Sequence, residues 1–341
     1  MGVAGFILRR SAAAIVVLVG LSILIFVVAR IIPGDPARMA LGSVATPEQV
    51  EKLRNRLHLD ESLPIQYWEF IKGLARGDLG ESLVTRRSVS LDLIDTFPAT
   101  LELVLAAGLI MVLVGVPLGI IAARYRDTAV DNVARLFALL GVVTPSFVWA
   151  VFLMLLLSFV LGLLPVAGRL SEAFDPPPMV SGMYTLDALI AGQWRAFWDA
   201  IQHLILPALA LALAGMGQAA RLTRTNMAEV YGRQYIEMAR AFAFREHEIA
   251  LKYALRPAMI PTLTILGLDF AVMLGNAFLV EAVFVWPGMA KYGVFAILRK
   301  DLNAIVGTVL VIGAMFLIVN IIVDMLTAYI NPQIRLGRRV A

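Results

Sequence analysis

The sequence predicts an all-α integral membrane protein with six transmembrane helices. Three observations carry this. First, 60% of the 341 residues are hydrophobic and only 16% charged, whereas a soluble domain is about half apolar and a quarter charged. Second, the apolar residues gather in uncharged runs long enough to cross a hydrocarbon core, which takes about 20 helical residues. Third, the basic residues lie mostly between those runs, so the net charge of +4 reflects membrane topology and not a nucleic-acid footprint.

The chain opens with Arg9 and Arg10 and then runs uncharged over 11–29. That stretch exceeds a signal-peptide core and no small-x-small cleavage site follows it, so 1–32 reads as a retained first span with a cytoplasmic N-terminus. Residues 33–96 form a small external helical subdomain. Thr46-Pro47-Glu48 is a helix-start signal, followed by Val50, Leu53 and Leu57 at helical spacing. Tyr67, Phe70, Ile71 and Leu74 make a second apolar stripe, best explained by packing on the membrane domain. A five-span core occupies 97–330, with uncharged runs at 103–123, 136–167, 204–220 and 302–323. The run 257–280 carries one acid, Asp269. The run 136–167 is too long for one upright helix, so it tilts or leaves the membrane near Pro145 or after Gly162. Alanines and glycines crowd 204–220, which favours close helix approach in lipid. The tail 331–341 is polar and basic.

Six spans place both termini on one side. That side carries 15 Lys and Arg residues against 14 on the other, but nine of the 14 lie in the first loop. Long loops cross largely regardless of charge, so the bias is effectively 15 to 5 and both termini are cytoplasmic.

No cysteine is present, which excludes disulfides, thiolate metal sites and a cysteine nucleophile. No G-x-x-x-x-G-K-[ST] phosphate loop occurs. The histidines His58, His203 and His247 are not at zinc-ligand spacing, so no metal site and no catalytic residues are assigned. Asp269 within a span is costly. It either faces a wet cavity or a polar neighbour without a transport role, or contacts substrate, ion or proton. Asn276 on the same run is the second candidate for a translocation pathway.

The cytoplasmic stretch 221–256 holds seven Lys and Arg residues. Helical spacing puts Tyr235, Met238, Ala239 and Phe242 on one stripe, with Glu237, Arg240 and Arg245 mostly elsewhere. It is either an amphipathic helix lying on the bilayer or a protruding helix that docks on a partner. The run Tyr235, Ile236, Ala239, Arg240, Ala241, then Ala254, Leu255, Arg256, Ala258, Ile260, Pro261, resembles the "EAA" loop of type I ABC importer permeases. The dipeptide/oligopeptide/nickel permease family fits best, as the first permease of a dipeptide-type system. Ile32-Pro33-Gly34-Asp35-Pro36, Gly77 to Ser82, Phe97 to Glu102, Thr144-Pro145-Ser146 and His203 to Pro207 resemble it too, as do Val285 to Met289, Val323-Asp324 and Asn331-Pro332.

The resemblance implies the type I permease fold and import of di- or oligopeptides or a similar solute. It also implies a second homologous permease, two cytoplasmic ATPase subunits holding ATP and Mg, an external solute-binding protein and membrane lipid as partners. The chain itself would bind no cofactor and no nucleic acid and would not be an enzyme. Coupling would run through Tyr235, Glu237, Ala239, Arg240, Ala241, Ala243, Arg245 and Glu246, a short helix over 235–246. Ala243 stands where the family has glycine, and Pro257 where it has asparagine. Alanine lets the helix continue, so a longer or straighter loop is expected. A secondary transporter using Asp269 as a proton or ion site is the alternative. Within the same ABC architecture, nickel, opine or glutathione import are alternatives to peptides, and a structural or assembly protein is a third class.

Overall fold

The computed structural model describes residues 3–31, 36–41, 45–56 and 60–330. The tail 331–341, with Arg335, Arg338, Arg339 and the Asn331-Pro332 pair, lies outside the described residues, as do 32–35, Leu57 and His58. The described residues are helical throughout apart from loops and one isolated bridge between Glu81 and Ser88.

Four helices precede the core: α1 (Val3–Ile31), α2 (Pro36–Leu41), α3 (Pro47–Arg56) and α4 (Leu63–Ala75). The α3 start is a capping box. The Gln49 N–H donates to the Thr46 hydroxyl oxygen, and the Thr46 N–H donates to Gln49 Oε1 at 3.0 Å. The α4 stripe packs on the membrane domain as its spacing predicts. Tyr67 meets Phe26 of α1 edge to face at 5.3 Å and shares a 2.8 Å hydrogen bond with Ser22. Phe70 and Leu74 join Ile25, Leu302 and Leu310 in one apolar cluster.

Next comes α5 (Val89–Ile110), which passes through a π-helical turn into α6 (Val116–Arg124) as one 36-residue helix. It starts well before the uncharged run at 103, because its first turns carry Asp92 and Asp95 outside the apolar stretch. Then α7 (Ala129–Val143) and α8 (Ser146–Leu153), continued by a π-helical segment to Val160, meet at a bend of 107°. Both break points open to this long run are used: the helix bends at Pro145 and ends at Val160, followed by Gly162 in a left-handed conformation at φ 61°. Thr144, immediately before a proline, is driven out of the helical region and sits extended at φ −86°, ψ 124°.

After a loop and α9 (Tyr184–Ile190), α10 (Trp194–Tyr231) runs for 38 residues. At 1.5 Å per residue that is about 57 Å, against a hydrocarbon core of about 30 Å, so its ends stand clear of any bilayer it crosses. A short α11 (Gln234–Ala241) and α12 (Glu246–Glu248) follow. The chain continues through a π-helical segment into α13 (Leu255–Val283), then α14 (Met289–Arg299) and α15 (Leu302–Ile330).

Among the described residues four helices are long and apolar enough to cross a membrane, and the bent pair makes five if it counts as one span. The described apolar stretch of α1, Ala12–Val28, is shorter. The centre of the core is α10, which packs against α5, α6, α7, α8 and α13. The small residues read from the sequence permit this. A Cβ on Gly217 would stand 2.3 Å from the Ala138 carbonyl, and one on Gly141 2.5 Å from that of Leu213, so α7 and α10 touch backbone to backbone.

The ends of the helices away from α11 are joined by segments that resembled the family. Thr100 Oγ1 donates to Glu281 Oε1 at 2.6 Å, and the Lys291 N–H donates to Glu281 Oε2 at 2.7 Å. Trp286 Nε1 donates to the Ala99 carbonyl at 2.9 Å, and the Met289 N–H to Thr100 Oγ1 at 2.7 Å. Gly288 is forced, because a Cβ there would stand 2.1 Å from Glu281 Oε1. Arg169 ties the loop after α8 to α5 through Glu102 at 2.5 Å, both groups buried.

Candidate coupling surface and transmembrane seam

The candidate coupling segment is seated by two residues about one helical turn apart. Ile236 and Ala239 of α11 are buried with Ala123 of α6, Met227 of α10 and Ile249, Ala250, Ala254 and Ala258 at the start of the next span. One short helix therefore bridges the same-side ends of three long ones. Its other face is open. Tyr235, Met238, Phe242 and Phe244 are 44%, 60%, 70% and 44% exposed, and Glu237, Ala241, Ala243 and Arg245 are exposed beside them. Four large apolar side chains left uncovered around a charged rim are what a docking face requires.

Three details differ from the sequence reading. Ala239 belongs to the buried face and not to the open stripe, because it and Ile236 point into the apolar cluster. Arg240 is engaged within the chain: its Nε donates to Glu246 Oε1 at 3.0 Å, both side chains about half exposed, and its guanidinium lies 5.8 Å from the Tyr231 ring centre. And the helix stops at Ala241 instead of running to 246. Ala243 adopts a left-handed backbone with φ 59°. The Phe244 N–H donates to the Ala239 carbonyl at 3.2 Å and the Ala243 N–H to that of Arg240 at 2.9 Å. That bond pair is a Schellman termination, whose left-handed residue is usually glycine. The alanine thus keeps the family's turn and does not lengthen the helix.

The frame behind this surface is held by a pair that sequence reading missed. Arg224 of α10 grips Asp131 of α7 with two hydrogen bonds, Nε to Oδ1 at 2.5 Å and Nη2 to Oδ2 at 2.7 Å, and Asp131 is fully buried. The Asp127 N–H adds a third at 3.0 Å. The two residues are 93 positions apart, so no local spacing signals the pair. Ile236 was visible only as one apolar residue among several.

The pathway candidates lie on one face of α13. Asp269 is half-buried and its Oδ2 is buried without a hydrogen-bond partner. Asn276, seven residues on and on the same helical face, is exposed, as are Leu268, Val272 and Gly275. Helix–helix contacts hold Asp269 and Asn276 well away from the Ile236–Ala239 seat: they belong to the membrane-spanning part, and the coupling residues to its end.

Comparison with known proteins places this arrangement in a class. The fold is that of an ABC importer permease: the chain superposes on a chain of the inward-facing MetNI methionine ABC transporter with a TM-score of 0.54, at 12% identity, covering 71% of this chain and 97% of that one. The chain belongs to the family of binding-protein-dependent transport system inner membrane components, matched over 115–336, with that family's N-terminal component matched over 3–104. It is 41% identical to the probable D,D-dipeptide transport permease DdpB of Escherichia coli (strain K12), over 96% of this chain and 97% of that one. It is 38% identical to the di/tripeptide transport permease DppB of Pseudomonas aeruginosa (strain UCBPP-PA14), over 97% and 98%. It is 34% identical to the glutathione transport permease GsiC of Salmonella choleraesuis (strain SC-B67), over 97% and 98%. The protein is a multi-pass permease subunit of the inner membrane.

Proposed function

We propose that this chain forms half of the membrane channel of an ATP-driven importer of short peptides. It pairs with a second, homologous permease, docks two cytoplasmic ATPase subunits that hold ATP and Mg, and receives peptide from an external solute-binding protein. It crosses the lipid bilayer six times with both termini in the cytoplasm, α1 and the bent α7–α8 pair each counting as one span. The peptide substrate is supported by relatives named for dipeptide, di/tripeptide and glutathione transport.

The observation that carries the coupling role is the open face of α11. ATP binding closes the ATPase pair, and a helix docked there passes that movement to α6, α10 and α13 through Ile236 and Ala239. A contact equal in both states would shift nothing, so the docked face must fit the closed ATPase pair better than the open one.

Ala241 gives the sharpest test. Its side chain is exposed, so glutamate there strains nothing within this chain and is felt only by a docked partner. Truncating or blocking a docking hot spot costs about 2 kcal/mol or more. Ala241→Glu is expected to abolish ATP-driven uptake in proteoliposomes, and to remove substrate stimulation of ATP hydrolysis, while membrane insertion stays normal. Full uptake and full stimulation in this variant would refute the docking assignment.

A further inference from the structure

Two charges on α10 and α13, toward the α11 end of the spans, are without charged hydrogen-bonding partners among the described residues. Among the described residues Asp269 makes no hydrogen bond or ion pair, and its buried Oδ2 has no partner there. Such an atom calls for an occupant the isolated chain does not supply. Arg221 of α10 is exposed, and among the described residues its guanidinium hydrogen-bonds only the neutral Gln218, at 2.9 Å. It is the cation that acts electrostatically on Asp269, yet the two do not touch.

The packing of α10 on α13 brings them to one level. The helices run antiparallel between two fixed contacts. At one, Asn226 Nδ2 donates to Thr262 Oγ1 at 3.0 Å. At the other, Gly215 lies so close to Met273 that a Cβ would stand 2.7 Å from its terminal methyl. Arg221 is five residues from the first contact and Asp269 seven, on the same side of it. At 1.5 Å per residue these are depths of about 7.5 and 10.5 Å, so the two backbone positions differ by about 3 Å in depth. Beyond Asp269 the same face of α13 continues to exposed Asn276, seven residues on, flanked by exposed Val272 and by Gly275, where a Cβ would meet nothing within 4 Å. Polar groups on an open helix face within a span belong against water or a ligand, not lipid.

We propose that Asp269 and Arg221 form a two-charge subsite for a zwitterionic short peptide in transit, the carboxylate holding its α-ammonium and the guanidinium its α-carboxylate. This rests on the importer reading above and names the chemistry its channel recognises. An α-amino group titrates near 8 and an α-carboxyl near 3.5, so a peptide carries both charges at neutral pH. A dipeptide spans about 7 Å at most, within reach of a carboxylate on one helix and a long arginine on its neighbour. The two charges do not bond each other, so a peptide enters without first breaking an ion pair. A conduit also needs a site weak enough to release its cargo, which one contact per terminus provides.

The test uses the whole importer, with its partner subunits and binding protein, in proteoliposomes, and reads Ala-Ala taken up per ATP hydrolysed. Asp269→Asn and Arg221→Gln should each lower that ratio about tenfold or more, the loss of a hydrogen bond to a charged group. Asp269→Glu and Arg221→Lys should restore part of it. Ala-Ala amide, lacking the carboxylate, should lose less against Ala-Ala in Arg221→Gln than in wild type; the binding protein's own preference is common to both and cancels. Because the chain has no cysteine, Asn276→Cys reports the seam directly: a small water-soluble thiol reagent should label it and Ala-Ala should protect it. An unchanged ratio in both charge-neutralised variants, or uptake and hydrolysis falling together as for a merely structural pair, overturns the subsite, as does an unlabelled Asn276→Cys. Failure of wild-type ATP-driven uptake would instead overturn the importer reading, and the labelling arm would still report on the seam.

Discussion

Ala243 shows how one residue sets the shape of the proposed coupling surface. Its φ of 59° lies in the left-handed region, which costs an L-residue with a Cβ about 1–2 kcal/mol. The residue persists because the Schellman bonds from Ala243 and Phe244 fix the turn around it. Glycine would relieve the strain but raise the entropy of the unfolded chain, leaving a net gain of up to about 1 kcal/mol. Ala243→Gly is therefore expected to slow amide exchange across α11 and to retain uptake, and Ala243→Val, β-branched, to quicken it. Faster exchange in the glycine variant would contradict the turn. Gly288 is the opposite case. Its lack of a side chain is dictated by the Glu281 carboxylate and not by backbone angle, since a Cβ would overlap Oε1.

Among the elements, α10 organises the rest, and the joint between α10 and α7 is its strongest polar attachment. Asp131 is fully buried and depends on Arg224 for two of its hydrogen bonds. Removing one partner of a buried pair costs about 3–5 kcal/mol, much of it the charge left behind, whereas replacing both with apolar residues can be neutral. Arg224→Met alone should lower the thermal unfolding midpoint of the purified complex sharply, and Asp131→Leu with Arg224→Met should recover most of it. A single variant as stable as wild type would show that the backbone contacts at Gly217 and Gly141 hold the joint without the ion pair. The same joint lies just behind the α11 seat, so its loosening is expected to weaken coupling as well as stability.

At the scale of the molecule, the claim most open to test is orientation. The basic residues on the Arg233 side outnumber those on the other by 15 to 5 once the long first loop is set aside. Single cysteines in the cysteine-free chain read this directly in intact cells. Arg233→Cys is expected to stay unlabelled by an impermeant thiol reagent, and Glu48→Cys and Asp175→Cys to be labelled. The reverse pattern would invert the molecule and place α11 outside, where no ATPase could dock.

Much of this was legible in the amino-acid order, for a local reason. A membrane span is specified by its own 20 or so residues, since every backbone group must be satisfied within the helix and every side chain must tolerate lipid. The long apolar helices of the core, the start of α3, the α4 stripe and the α11 segment could all be read this way. Family motifs such as Trp286-Pro287-Gly288 were visible as strings but mute about purpose. Only packing revealed that they wrap Glu281, that Ala239 turns inward and that Arg240 is bound to Glu246. Likewise Arg224 finds Asp131 across 93 residues, and Arg221 comes level with Asp269 through a register set by Gly215 against Met273 and Asn226 against Thr262. Such pairings depend on which ridges of several helices interlock at once, and no single segment carries that information.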